Sequence, residues 1–287
     1  MPRLLSIAHL TAIELSPPEL VRAAAHHGIG AVGARIHPAT ATEKQYPMLP
    51  GSRMLKETRD ACRETGVRVL DVEVFGLGKH IDRETWMPVL EAGAELQATV
   101  LNVVGVDADL GRFRDKLGML VDDAHGYGIR PSMEPISYQP LSSFSTARTI
   151  AEETGAGIMV DTLHAFRGGA SLSEIEQIPT DMVTVVQLCD GMWAEPSEVE
   201  VSVSMPIGQS VGGSPREFES RAQRMLPGKG EFPLQKILEL FPQVPVSIEV
   251  PDVRAVRAHG LDAHLANCVD NSWKLLSEGN ATALGQN

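Results

Sequence analysis

Eight short apolar runs alternate with stretches of helical spacing along the chain, and this rhythm limits the folds open to it more than any other feature. The runs are LLSIAHL (4–10), AVGARI (31–36), VRVLDVEVF (67–75), TVLNVVGV (99–106), IRPSMEPIS (129–137), GIMVDTLHAF (157–166), MVTVVQLCDG (182–191) and PVSIEVP (245–251). Strands buried on both faces read as near-continuous apolar segments, and a helix between successive strands makes them parallel. The spacing predicts helices over Ser16–Gly28, Ser52–Thr65, Asp82–Ala98, Leu110–Tyr127, Ser143–Thr154, Ser171–Gln177, Pro233–Phe241 and Asp262–Glu278. Ser16 is placed to cap the first of these, with prolines in its first turn and Gly28 at its end. A count of eight argues for closure, so the expected fold class is α/β, a single (β/α)8 barrel over 1–287. An open doubly wound sheet is the runner-up, but no G-x-G-x-x-G follows the first run.

Length agrees, since such a barrel takes about 250 residues and the chain has 287. A net charge of −12 argues against attraction to phosphate backbones or anionic lipid, so neither nucleic acid nor membrane is an expected partner. No apolar run reaches the roughly 20 residues needed to span a bilayer. Cys62, Cys189 and Cys268 are odd in number and scattered, and Met1-Pro2-Arg3 shows no signal-peptide pattern. Both point to a reduced, cytoplasmic setting. The segment from about 192 to 227 has little apolar periodicity and is read as a long loop after the seventh strand, with 192–223 a lid or subunit contact. The tail from about Gly279 is expected to fray.

Functional groups of such barrels collect at the carboxyl edge of the sheet. Glu134, Asp161, Gln187 and Glu249 stand at the ends of the fifth to eighth strands, which are neighbours in a barrel. Three carboxylates brought together repel one another unless a cation neutralises them. All-oxygen donors suit hard ions, so one divalent metal is expected, with Mn²⁺ or Mg²⁺ favoured, Co²⁺ admitted and Zn²⁺ disfavoured. Each residue also has a plainer reading. A strand-end Glu is usually solvated, Asp161 can cap the next segment, Gln187 can satisfy backbone groups, and His164 can pack against Phe166. Asp190 reads as structural or as a support behind the ligands, and not as a ligand itself. Asp71 and Glu73 fall on one side of their strand, as rim residues or substrate contacts. His9, Arg35 and His37 end the first two strands, and Trp193 is a candidate pocket wall.

With those residues in view, the chain resembles the xylose-isomerase-like barrel superfamily, commonly described as sugar phosphate isomerases and epimerases. SMEP, VDTLH, VVQLCD, RMLPGKGEF and SIEV carry the resemblance, chiefly from Glu134 to Glu249. It implies one metal held by Glu134, Asp161, Gln187 and Glu249, with His164 facing a small polyhydroxylated substrate. In the epimerase branch the two glutamates also act as acid and base on opposite faces of the substrate. That branch normally has histidine where Gln187 stands, and arginine where Trp193 stands. Some dehydroshikimate dehydratases resemble the chain in using Gln as third ligand and in an Arg-x-x-Pro-Gly-x-Gly-x-Phe segment, here from Arg224. In that branch His164 is the principal acid/base, and Arg224 can grip a substrate carboxylate or phosphate by its two-pronged geometry. Relatives are often dimers or tetramers. The related endonucleases need a three-metal cluster and a basic surface, which this acidic chain lacks. The expected activity is therefore a metal-dependent isomerase or epimerase acting by proton abstraction next to a carbonyl. A dehydratase (lyase) of the dehydroshikimate or inosose type is the alternative, and a metal-containing barrel that binds without turnover is the non-enzymatic one.

Overall fold

In the computed structural model, which describes residues 3–199 and 204–284, eight parallel strands close on themselves in chain order. They are β1 (Leu5–Ile7), β2 (Ala31–Arg35), β3 (Arg68–Leu77), β4 (Val100–Gly105), β5 (Arg130–Met133), β6 (Gly157–Asp161), β7 (Val183–Leu188) and β8 (Val246–Ile248). The seam is made by β1 and β8, with Ser6 opposite Ser247 and Ile7 opposite Ile248. The expected fold is the observed one.

Strand periodicity places the polar groups. On β6 and β7, Ile158, Val160, Val186 and Leu188 join the large core between sheet and helices, while Met159 and Val185 join a separate small cluster with Ala31, Leu70 and Val100. Alternation by two then carries the chain from Met159 to Asp161 and from Val185 to Gln187 on one face. Ser247 to Glu249 and Ser132 to Glu134 repeat the step beside apolar Ile248 and Met133 of the outer core. An apolar plug thus lies beneath a polar layer.

The helices α1 (Pro17–His26), α2 (Arg53–Thr65), α3 (Arg83–Glu95), α4 (Leu110–His125) and α5 (Phe144–Thr154) follow the first five strands. Side-chain caps begin them: Ser16 forms a capping box with Glu19, and Ser52, Asp82, Asp109 and Ser143 each accept a backbone N–H. Four elements depart from expectation. The sixth run stops at Asp161, whose side chain caps α6 (Thr162–Arg167), so VDTLHAF is strand end plus helix and not one strand. After α7 (Leu172–Glu176), the supposedly structureless 192–223 segment contains α8 (Pro215–Ala222). Ser214 and Glu217 form its capping box and Pro215 opens its first turn, which offsets its weak apolar pattern. Following α9 (Leu234–Leu240), an unexpected short α10 (Val253–His259) precedes α11 (Leu261–Leu284). The backbone of α11 continues through 279–284, where fraying was expected; residues 285–287 lie outside the described residues. Among the described residues no helix is long and apolar enough to cross a membrane.

Candidate active site

Glu134, Asp161, Gln187 and Glu249 are all brought to the carboxyl edge of β5–β8 and all buried, at 4%, 0%, 1% and 5% exposure. Asp161 is in register with Gln187, which pairs in turn with Ser247 on β8. A cavity of about 270 Å³ opens above them, lined among others by Glu73, Asn102, Glu134, His164, Arg224 and Glu249.

Each side chain is held by identifiable partners. Asn102 of β4 donates from Nδ2 to Glu134 Oε2 at 2.7 Å. Asp161 Oδ1 accepts the His164 backbone N–H at 2.8 Å, which fixes the carboxylate as the α6 cap. Its Oδ2 lies 2.6 Å from Arg224 Nη1, and the same nitrogen is 3.1 Å from Glu249 Oε2. Arg224 is itself fixed from two sides: Nε donates to the Ser220 carbonyl at 2.9 Å, and its backbone N–H donates to the Pro251 carbonyl at 3.0 Å. The His164 ring lies between Ser137 Oγ and Ser220 Oγ, each at 3.2 Å, with the edge of Tyr138 against it. Its Nε2 is 3.9 Å from Glu134 Oε1.

Burial dominates the proton affinities. It pushes the Glu134 carboxyl up to about 7, reinforced by the charge on Asp161 and opposed by Asn102 and Arg224. Glu249 is raised by burial too; Arg224 opposes the rise, and Glu134 and Asp161 add to it. Burial acts the same way on Asp161, but Arg224 and His164 outweigh it and hold this carboxylate below the usual range. The His164 imidazole is pushed down to about 4 by burial, against the pull of Asp161, and is neutral at pH 7. One ionised carboxylate therefore stands between two carboxyls that hold protons more readily.

The donor set fits a divalent cation. Donor atoms of Glu134, Asp161 and His164 lie within 4.8 Å of one another. Gln187 Oε1 and Glu249 Oε2 are buried without a hydrogen-bond donor of good geometry, and such acceptors are costly to bury unsatisfied. Three carboxylates against one guanidinium leave two negative charges when all are ionised, the charge one such ion cancels.

The remaining expected site residues divide. Glu73 lines the cavity, and its Oε1 accepts the His9 backbone N–H at 2.7 Å. Arg224 also lines it, but its nitrogens are committed to Asp161, Glu249 and Ser220, so a free two-pronged grip on substrate is not what the geometry offers. Trp193 does not wall the cavity. It is 55% exposed and packs on Phe166 and Phe232, outside the barrel mouth. Asp190 is structural, as expected: its Oδ1 accepts the N–H groups of Gly191 and Phe232. Sequence reasoning passed over Asn102, although a lone amide inside TVLNVVGV was a visible signal. It also missed Ser220, which had none once its helix was read as loop.

This geometry belongs with a known architecture. The chain is a member of the xylose isomerase-like TIM barrel family, whose model matches residues 21–267. Among solved structures, the IolI protein with a bound zinc atom is similar at 16% identity and a TM-score of 0.72, covering 96% of this chain and 98% of that one. A xylose isomerase domain-containing protein from Salmonella typhimurium LT2 is similar at 16% identity and 0.70, with 96% and 99% covered. A D-psicose 3-epimerase from Clostridium cellulolyticum H10 is similar at 11% identity and 0.68, with 95% and 99% covered. At these identities the likeness is one of fold. Among curated proteins none matches the sequence significantly.

Proposed function

We propose that the chain is a divalent-metal-dependent isomerase or epimerase of a sugar or other polyhydroxylated carbonyl compound. One observation carries the reading: two buried carboxyls of raised proton affinity, Glu134 and Glu249, line one cavity and flank Asp161, whose proton affinity is lowered. Glu134, Asp161, Gln187 and Glu249 would hold the ion. A bound divalent ion polarises a carbonyl and makes the neighbouring C–H more acidic. Of the two glutamates, the deprotonated one would remove that proton and the protonated one would return a proton, to the same carbon from the opposite face in an epimerisation or to the neighbouring carbon in an isomerisation. A carboxyl titrating near 7 is matched to either duty at neutral pH. Asn102 holds Glu134 in place, while Arg224 holds Asp161 and Glu249. The name of the D-psicose 3-epimerase and the zinc atom bound in the IolI structure support this class.

A dehydratase is the second reading, favoured by the placement of His164. Its neutral ring lines the cavity beside Glu134 and is held by two hydroxyls, an arrangement suited to moving a proton to or from a leaving hydroxyl. Metal content tests the common part. About one Mn²⁺ or Mg²⁺ ion per purified chain is expected, and neither ion in Asp161→Ala. Exchange of a substrate α-proton with solvent then separates catalysis from mere binding, with Glu249→Ala expected to bind substrate without exchange. Dehydration yields a conjugated, ultraviolet-absorbing product and epimerisation does not. A native chain that neither holds nor is stabilised by a divalent ion would remove the proposal.

A further inference from the structure

A second group of ligating side chains lies on the outer surface, at the seam between the first and last helices. His26 ends α1 and His27 caps it, and Asp262 sits in the first turn of α11. His27 Nε2 is 3.0 Å from Asp262 Oδ1, and His26 Nε2 is 4.0 Å from the same oxygen. All three donor atoms lie within 4.8 Å of one another. We propose that His26, His27 and Asp262 form a surface site for a borderline divalent ion such as Zn²⁺, which ties α1 to α11.

The metrics support a site that needs little rearrangement. Around a tetrahedral Zn²⁺ with bonds of about 2.0–2.1 Å, neighbouring donors stand about 3.4 Å apart. The observed separations fall on either side of that figure. The adjustment required belongs to His26, whose side chain is 73% exposed and can shift freely. By contrast the His27 side chain is only 10% exposed and already aimed at the carboxylate. Three protein donors leave a fourth position for water. Two imidazoles and one carboxylate make a softer set than the all-oxygen barrel cluster, so it prefers Zn²⁺, Ni²⁺ or Cu²⁺ over Mg²⁺ or Mn²⁺. The α1 carboxyl end adds its partial negative charge.

Position gives the site its consequence. His27 and Asp262 are 235 residues apart in sequence. An ion there bridges the beginning and end of the barrel, and cross-links that close long loops restrict the unfolded chain most. A plain surface hydrogen bond between His27 and Asp262 is the competing account, and it requires no contribution from His26.

The test uses the full chain without an affinity tag, stripped of metal and titrated with Zn²⁺ by calorimetry. Beside it run His26→Ala, Asp262→Ala and, to remove the barrel cluster, Asp161→Asn. We expect a Zn²⁺-binding event that survives Asp161→Asn, weakens at least tenfold in His26→Ala and in Asp262→Ala, and does not yield to Mn²⁺. Zn²⁺ at about one hundred times its dissociation constant should raise the unfolding midpoint by about 4 °C, an effect lost in both surface variants. Both substituted side chains are largely exposed, so circular dichroism should show unchanged folding. Zn²⁺ binding that is lost in Asp161→Asn, or is indifferent to His26→Ala and Asp262→Ala, overturns the proposal. So does an absence of Zn²⁺ binding, whatever the barrel site does.

Discussion

Replacing Arg224 by methionine keeps most of the side-chain volume and removes the one positive charge placed against Asp161 and Glu249. The guanidinium and the two carboxylates are 1%, 0% and 6% exposed at their side chains, so water cannot take over. Two unit charges about 4 Å apart interact by about 4 kcal/mol at an effective dielectric of 20. Removing one partner of a buried pair costs about 3–5 kcal/mol by experience. Glu249 already favours its proton, so Asp161 bears most of the loss, which places the expected cost near 3 kcal/mol. A divalent ion would bring positive charge to the same oxygens and should recover much of the deficit. Urea unfolding followed by circular dichroism, for native and Arg224→Met chains in chelator and in excess Mn²⁺, measures both effects. A loss under about 1 kcal/mol in chelator would refute the counter-ion role. An equal loss with and without Mn²⁺ would refute the idea that ion and guanidinium serve the same carboxylates.

Three further outcomes follow from named contacts. His9 is fully buried with both ring nitrogens matched to the neutral form: Nε2–H donates to the Leu15 carbonyl, and Nδ1 accepts the Arg35 N–H. Burial lowers its pKa to about 3, so its contribution is intact above the unfolded value near 6.5 and is lost as pH falls toward 3. Stability should fall by about 1.4 kcal/mol per pH unit in that window, less steeply in His9→Asn, and parallel slopes would contradict this. Gly33→Ala would drive a Cβ into Glu73 Oε1, displacing a carboxylate that holds the His9 N–H, and should cost about 1–3 kcal/mol in thermal unfolding. Trp193→Ala, outside the cavity, should leave kcat/KM within about twofold of native and cost under about 1.5 kcal/mol of ring packing. A tenfold kinetic loss would return Trp193 to the site.

The parts of this molecule legible in sequence are those set by local period. Alternation by two put Asp161, Gln187 and Glu249 on the inner face, and neighbouring strands then had to bring them together. The short α6 escaped because Leu163, Ala165 and Phe166 prolong the apolar run of β6, and a six-residue helix cannot be told from a strand end by apolar content. The α8 helix was readable in principle, since Ser214, Pro215 and Glu217 spell a capping box, but its weak apolar period masked them. The Arg224 contacts were not readable. The one to Asp161 joins residues 63 apart through a chain excursion whose return path no local rule fixes. Nor could sequence reveal that Arg224 and His164 would outweigh burial at Asp161 while Glu249 stays raised, because that depends on where the guanidinium and the imidazole come to rest.

The excursion after β7 leaves and re-enters the barrel through a narrow neck. Asp190 and Met225 exchange backbone hydrogen bonds there, Asp190 Oδ1 collects the Gly191 and Phe232 N–H groups, and Gly230 packs so closely that a Cβ would meet Asp190 at 2.5 Å. A segment pinned at its base in this way behaves as a cassette. Its stretch ahead of α8 can lengthen, shorten or be exchanged while the strand ends, and the Ser220 and Arg224 side chains that brace them, keep their positions. Conversely, the neck has no such freedom: a bulkier residue at Gly230 would disturb the frame on which every version of the cassette depends.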